Sequence, residues 1–165
     1  MPLLTQPLTP VDAPAALATI HAAFAAQSVQ TDPPSAALRE TAASIAAEIA
    51  AGGGAGTPAP SGFAAVVLWR EKDGGLYFGR LAVRPEWRRR GLARALIAAA
   101  EAEARRRALP RLHLGTRLVL ADNRALFAAC GFTEAGLTTH PGYSAPTSVV
   151  MEKWLTAPEC GGTGR

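Results

Sequence analysis

The stretch RLAVRPEWRRRGLARALI, residues 80–97, constrains this chain more than any other. An apolar, strand-like run ends at Pro85, a helix-like run starts near Gly91, and Arg88, Arg89, Arg90 and Arg94 crowd the junction. A solvated helix face tolerates such arginines, but it has no use for the glycine. The first backbone N–H groups of a helix lack intrahelical partners and lie at the positive end of its dipole, which makes them an anion site. Gly91 and Ala93 keep side chains clear of those amides, and the arginines supply countercharge. Hydrogen bonds to charged groups contribute about 1.5–3 kcal/mol each, so three or four of them suffice to hold a diphosphate.

Charge along the chain supports a local polyanion site over a general basic coat. Residues 80–111 carry ten arginines against Glu86, Glu101 and Glu103, a net of +7, while the remaining seven basic and ten acidic residues net −3. Of the ten, Arg105, Arg106 and Arg107 have a simpler expected role. Glu101 and Glu103 stand four residues before Arg105 and Arg107, the spacing of ion pairs along one helix face.

At 165 residues and 48% hydrophobic content, the chain has enough apolar material for one domain with a sizeable core. Residues 1–157 are read as that domain and residues 158–165, which include Cys160, as a flexible tail. No apolar run is long enough to span a bilayer, and MPLLTQPLTP lacks the basic and apolar parts of a targeting segment, so a cytoplasmic location is expected. Cys130 and Cys160 lie too far apart for a metal-ligand spacing, so neither a metal nor a disulfide framework is expected. A helix is predicted after an Asp12 cap, and a second over PSAALRETAASIAAEIAAGGG, entered from Ser35. GAGTPAPSG reads as a loop with a vestigial strand. FAAVVLW and LYFGRLAV flank EKDGG as an antiparallel hairpin. A helix over 91–108 turns Leu92, Leu96, Ile97, Ala100 and Ala104 inward. Strand 111–116, the helix NRALFAAC and strands around 133–139 and from 147 complete a mixed α/β sheet covered by helices.

Val83, Pro85, Arg88, Gly91 and Ala93 form V-x-P-x-x-R-x-x-G-x-A, which resembles the acyl-CoA signature of the GNAT superfamily of N-acyltransferases. NRALFAACGF, residues 123–132, resembles that superfamily's second block, and LTPVDAPAALATIHAAF resembles its usual opening, so the likeness runs from about Leu8 to Leu155. The resemblance implies an antiparallel central sheet, helices on both faces, and two parallel strands, 76–83 and 111–116, that splay apart at the cofactor site. It also implies that acetyl-CoA is the acyl donor. By this likeness Leu81, Ala82 and Val83 offer backbone hydrogen bonds to the pantetheine arm, and residues 88–94, Leu92 included, bind the pyrophosphate. Asn123 and Phe127 lie at the thiol end, and Asn123, after Asp122, also suits a helix N-cap.

The implied reaction is transfer of an acetyl group to a primary amine of a small molecule or peptide. The amine attacks the thioester carbonyl, an oxyanion forms, and a thiolate leaves. The Val83 amide is the candidate oxyanion donor. Two proton-transfer positions depart from the family pattern. Phe127 stands where many members carry a tyrosine that protonates the thiolate, and Tyr77 stands where many carry a glutamate. His140 is the candidate replacement base, Tyr143 the candidate acid, and Tyr77 a candidate for either role. Two other classes stay open: an acyl-CoA binder with little catalysis, and a basic nucleic-acid-binding module, which the acidic remainder and the lack of a reading element disfavour. Neither nucleic acid nor a membrane is an expected partner. A homodimer is expected through the apolar VVMEKWL strand, read as lying near the sheet edge.

Overall fold

The computed structural model describes residues 4–155, so the expected tail lies outside the described residues. Among them, seven strands form one sheet in the order β1-β2-β3-β4-β5-β7-β6. These are β1 (Gln6–Pro7), β2 (Gly54–Pro58), β3 (Phe63–Lys72), β4 (Gly75–Val83), β5 (Arg111–Arg117), β6 (Thr133–Thr138) and β7 (Ser148–Trp154). All neighbours are antiparallel except β4 and β5. Helices α1 (Ala13–Ala25) and α2 (Ala42–Ala51) cover one face, α3 (Leu92–Arg106) and α4 (Ala121–Ala129) the other. The fold is therefore the mixed α/β architecture that the sequence predicts.

Each face has its own core, set by which residues each strand turns to it. Leu76, Phe78, Leu112, Leu114, Val149 and Met151 pack against Leu92, Leu96, Ile97, Ala100 and Ala104 of α3, the five positions expected to point inward. Val66, Leu68 and Ala82 pack on the other face against Ile20, Ile45 and Ile49. The β3–β4 turn falls at Asp73 and Gly74, with φ of 51° and 73°, the left-handed pair that matches the twist of a two-residue hairpin.

Four local expectations are corrected. Asp12 does not cap α1 with its side chain; its carboxylate accepts from the Thr9 amide at 2.8 Å and stabilises the turn before the helix. The second predicted helix is broken into a 3-10 turn at Ala36–Arg39 and α2, because the Thr41 hydroxyl takes the Ser44 amide and starts a new helix. Residues 54–58 are a full strand with small residues at its close approaches, where glycines had suggested a loop. The VVMEKWL strand is not at the edge: β7 is paired on both sides, with β5 and with β6, and the edge falls to β6, whose six residues are all exposed.

One irregularity sets where β4 and β5 part. Val66 pairs with Ala82 and Leu68 with Gly79, so β4 carries one extra residue against β3, a β-bulge with Arg80 at φ 52°. The Arg80 guanidinium bonds to Glu40 Oε1 at 2.8 Å, tying the bulge to the start of α2. Before the bulge β4 pairs with β5 at Leu76–Leu112 and Tyr77–His113; past it no β4–β5 pairing continues, and the strands part.

The arginines at the end of α3 are structural. Arg105 pairs with Glu101 at 3.1 Å and Arg107 with Glu103 at 2.8 Å, as their spacing predicts, while Arg107 also donates to the Gly52 carbonyl at 2.7 Å. Hydrogen bonds from Arg106, against a smaller opposing effect of burial, and from Arg107 hold the Glu103 carboxyl down at about 2, below its usual 4.5. A depressed carboxyl stabilises the fold fully above its unfolded value and loses that contribution as the pH falls through its folded value. Glu103→Gln should therefore cost on the order of 1 kcal/mol at pH 7, allowing for solvent screening. Thermal melts of the two proteins should converge between pH about 4.5 and about 2; a gap that persists at the acid end would remove Glu103 from this role.

Candidate functional site

A cavity of about 560 Å³ opens where β4 and β5 separate. Leu81, Ala82 and Val83 form one wall, the turn into α3 a second, the start of α4 a third, and Phe24 and Gln27 of the α1 end a fourth. The Arg84 amide donates to the Ala64 carbonyl at 2.9 Å, across the β3 side of the strand. Alternation along an antiparallel strand then turns the N–H and C=O of Val83 the other way, into the gap left by β5. The candidate oxyanion donor thus faces the open space.

At the second wall, Gly91 has φ 76° and ψ 14°, a left-handed conformation that a side chain would strain, and no side chain caps the helix that follows. The first-turn amides of Leu92, Ala93 and Arg94 therefore keep their donors for something outside the helix. Arg88, Arg89, Gly91, Leu92, Ala93 and Arg94 all line the cavity. No carboxylate lies within ion-pair distance of these arginines among the described residues, in contrast to Arg80, Arg105, Arg106, Arg107 and Arg111. Arg90 is placed differently: its guanidinium stacks over the Trp87 ring at 4.7 Å, and it is not part of the lining. Trp87 itself lines the cavity and supports the arginine loop, a role its place inside the basic stretch could have suggested.

Asn123 lies within the first turn of α4 and is not its N-cap, a position Leu120 takes. Asn123 and Phe127 lie one turn apart on the same helix face and both line the cavity. Phe127 is only 6% exposed and packs edge-to-face on Phe78 and Phe132, at 6.1 and 6.0 Å, so its ring also belongs to the core. It brings no proton to the site.

The three proton-transfer candidates are scattered. His140 is bonded to the Thr147 hydroxyl through both its Nδ1 and its backbone amide, and Tyr143 donates to Asp32 Oδ1 at 2.5 Å; neither lines the cavity. Tyr77 lies on the opposite face of the sheet from the cavity's arginines but at the vertex of the splay. Its hydroxyl lies 3.7 Å from where a Cβ on Gly79 would stand and 3.9 Å from where one on Gly115 would. It therefore occupies the notch between β4 and β5 that two residues without side chains leave open. The buried His113 ring packs edge-on against Tyr77 at 5.4 Å and is fixed by donating Nε2–H to the Lys72 carbonyl at 2.8 Å. Burial holds the His113 imidazole below its usual 6.5, so it stays neutral beside the phenol.

The Tyr143–Asp32 contact joins the β6–β7 loop to the α1–α2 connection. By accepting the phenol's hydrogen bond, and through a smaller effect of burial, Asp32 holds the Tyr143 hydroxyl above its usual 10.0. In an ultraviolet difference titration, Asp32→Asn should move the ionisation of one of the two tyrosines to lower pH. Identical titration curves for the two proteins would show that the contact does not persist in solution.

A sequence model described as the acetyltransferase (GNAT) family matches residues 21–132, more than half of the chain. A search of curated proteins returns no match. Among solved structures, the ribosomal-protein-S18-alanine N-acetyltransferase from Escherichia coli is 22% identical with a TM-score of 0.73, covering 95% of this chain and 98% of its own. The PaiA N-acetyltransferase from Thermoplasma acidophilum, solved in complex with coenzyme A, is 15% identical with a TM-score of 0.74, covering 94% and 100%. An IAA acetyltransferase from Bacillus cereus, 15% identical, superposes with a TM-score of 0.67 over 92% and 99%. At these identities the structural likeness speaks to the fold alone; the sequence match carries the assignment, and this chain belongs to the acetyltransferase (GNAT) family.

Proposed function

We propose that the chain transfers an acetyl group from acetyl-CoA to a primary amine by direct attack of the amine on the thioester, in the cytoplasm and without a metal. The observation that carries this reading is a single cavity that runs from the inward-turned Val83 amide to the uncapped start of α3 and three guanidiniums without carboxylate partners. A largely apolar cavity with a free amide at one end and cations at the other suits a donor with an acyl group at one end and a diphosphate at the other. The diphosphate would lie on the amides of Leu92–Arg94 with Arg88, Arg89 and Arg94 around it, and the pantetheine arm along Leu81–Val83 as an added strand. The coenzyme A complex of the Thermoplasma acetyltransferase agrees with this choice of donor.

In the reaction the amine gives up a proton and attacks the carbonyl carbon. The oxyanion is held by the Val83 N–H, and the C–S bond breaks to leave a thiolate that takes a proton. Tyr77 is the side chain best placed for proton exchange, because its hydroxyl stands in the notch where the strands part. His140 and Tyr143 are engaged elsewhere by Thr147 and Asp32. General acid–base catalysis is worth about 10²–10⁴ in rate. Tyr77→Phe should accordingly lower kcat by about tenfold or more with the acetyl-CoA KM little changed, and full activity in that variant would return the role to His140 and Tyr143.

A second reading, an acyl-CoA binder with little turnover, is favoured by one observation: Phe127 fills the usual donor position with a core aromatic ring. Release of CoA with a panel of amines separates the two.

Donor binding has its own test. Acetyl-CoA should raise Tm by mass action, with dephospho-CoA and free pantetheine raising it progressively less. Gly91→Glu should abolish the effect, since it places an anion and a strained backbone at the phosphate amides. Equal shifts from all three compounds, or unchanged affinity in the variant, would remove the arginine loop from the site.

A further inference from the structure

A second cavity, of about 310 Å³, lies on the other face of the sheet, between α2 and the β3–β4 hairpin. Its floor is Leu68, Tyr77 and Gly79, its helix wall is Ala47, Glu48 and Ala51, and Trp69, Arg70 and Arg80 complete it. It shares Tyr77 and Gly79 with the notch at which β4 and β5 separate. Leu81, which lines the first cavity, follows Gly79 across the bulge at Arg80. The volume is at the small end of the range of about 300–1,000 Å³ usual for small-ligand sites.

The charges around this cavity are not balanced pair by pair. Arg80 and Glu40 satisfy each other at 2.8 Å. Glu48 is left with Glu40 as its hydrogen-bonding neighbour, and burial together with the negative charge of Glu40 raises its carboxyl above the usual glutamate range. The positive charges of Arg80 and, more weakly, Arg70 offset this only in part, so a further cation beside Glu48 would be favoured. Arg70, across the cavity, has no carboxylate within ion-pair distance among the described residues; its guanidinium lies over the Tyr77 ring at 5.2 Å, with Lys72 also over that ring at 5.1 Å. The cavity therefore has a wall that attracts an ammonium and an outer rim that attracts an anion, with an aromatic ring and aliphatic carbons between them.

We propose that this cavity seats the acceptor and that the acceptor is a zwitterionic amine of amino-acid type, its ammonium received by Glu48 beside Tyr77 and its carboxylate by Arg70. The inference rests on the acetyltransferase reading and adds the substrate class to it. A polyamine would set its further positive charges against Arg70 and Lys72. An amine with no anionic group would leave Arg70 without a carboxylate at ion-pair distance among the described residues. The cavity is open enough for a free amino acid, with apolar surface at Ala47, Ala51 and Leu68 for an uncharged side chain.

The test compares amino acids with the amines they become on loss of the carboxylate: methionine against 3-methylthiopropylamine and phenylalanine against phenethylamine, with spermidine as the polycation. With saturating acetyl-CoA, each amino acid should exceed its decarboxylated partner in kcat/KM by about tenfold or more, the value of one charged hydrogen bond, and spermidine should be the poorest. Arg70→Gln should lower the amino acids more than the simple amines and narrow the gap, Arg70→Lys should keep part of it, and Arg70→Glu should turn the preference toward spermidine. Equal or better use of the decarboxylated amines by the unaltered protein, or an equal loss for both classes in Arg70→Gln, would overturn the proposal.

Saturation-transfer NMR on the CoA-bound protein reads the same preference without turnover. Methionine binding lost in Arg70→Gln, with no acetyl transfer, would support the seat while sinking the transferase reading. Transfer of acetyl groups to simple amines with no methionine binding would do the reverse.

Discussion

The bulge at Arg80 is the constraint on which the rest depends. A parallel pair of strands left to itself would continue its ladder, and continued pairing of β4 with β5 would close both the Val83 edge and the Tyr77 notch. One extra residue in β4 twists the strand away after Tyr77 and Gly79, and the alternation of side chains is reset. Leu81 and Val83 consequently face the same core as Leu76 and Phe78, although simple alternation would put them on opposite sides. The left-handed backbone at a non-glycine residue is unfavourable by itself. It persists because Glu40, at the start of α2, holds the Arg80 guanidinium from outside the sheet. The opening in the sheet is thus maintained by an ion pair on the face opposite the arginine loop.

The ten arginines of residues 80–111 divide cleanly by what they touch. Arg80, Arg105, Arg106, Arg107 and Arg111 are paired with carboxylates, and Arg84 donates to the Phe63 carbonyl at 2.9 Å. Arg88, Arg89, Arg90 and Arg94 lack carboxylate partners among the described residues, and three of them face the cavity. Local excess charge in a protein is a cost unless something offsets it, and an arriving polyanion offsets it where the fold does not. The division is therefore better support for a phosphate site than the count of arginines, which mixes both kinds.

Much of this was legible in the sequence, and the parts that were not have identifiable reasons. The strand–turn–helix around Gly91 announces itself because only a few residue types satisfy an uncapped, left-handed helix start. The inward face of α3 follows from its 3.6-residue period. Strand β2 was hidden because its glycines and prolines read as a loop, whereas in the sheet they admit Phe63, Leu8 and Leu68 at close range. The break before α2 was hidden because Thr41 sits in an alanine-rich run that favours helix throughout. The bulge had no sequence signal, since its left-handed residue is an arginine next to a glycine that is not the one in that conformation. Glu48 and Arg70 were passed over for a related reason: each reads as an ordinary charge on a solvated face until the fold places them across one cavity.

The arginine loop and the second cavity lie on opposite faces of one sheet, and this arrangement bears on how a bimolecular reaction is organised. A donor and an acceptor that share one pocket compete for its walls, and each must be desolvated in the presence of the other. Here the phosphate-seeking arginines and the mixed-charge cavity are separated by the sheet, so their opposite electrostatic demands do not interfere. On the proposed reading the reactants would meet where the sheet is parted, next to the Val83 N–H and the Tyr77 hydroxyl. Tyr77 is then held more firmly than either loop candidate: His113 packs on its ring edge, the two glycines define its slot, and Arg70 and Lys72 lie over its ring. Such fixed placement is what lowers a barrier by orientation, because the ordering is done by the fold before the reactants arrive. Tyr77 places a phenol, not a carboxylate, at that point. The ammonium of the proposed acceptor would then be drawn to Glu48 at the side of the passage and not trapped as an ion pair at the reacting carbon.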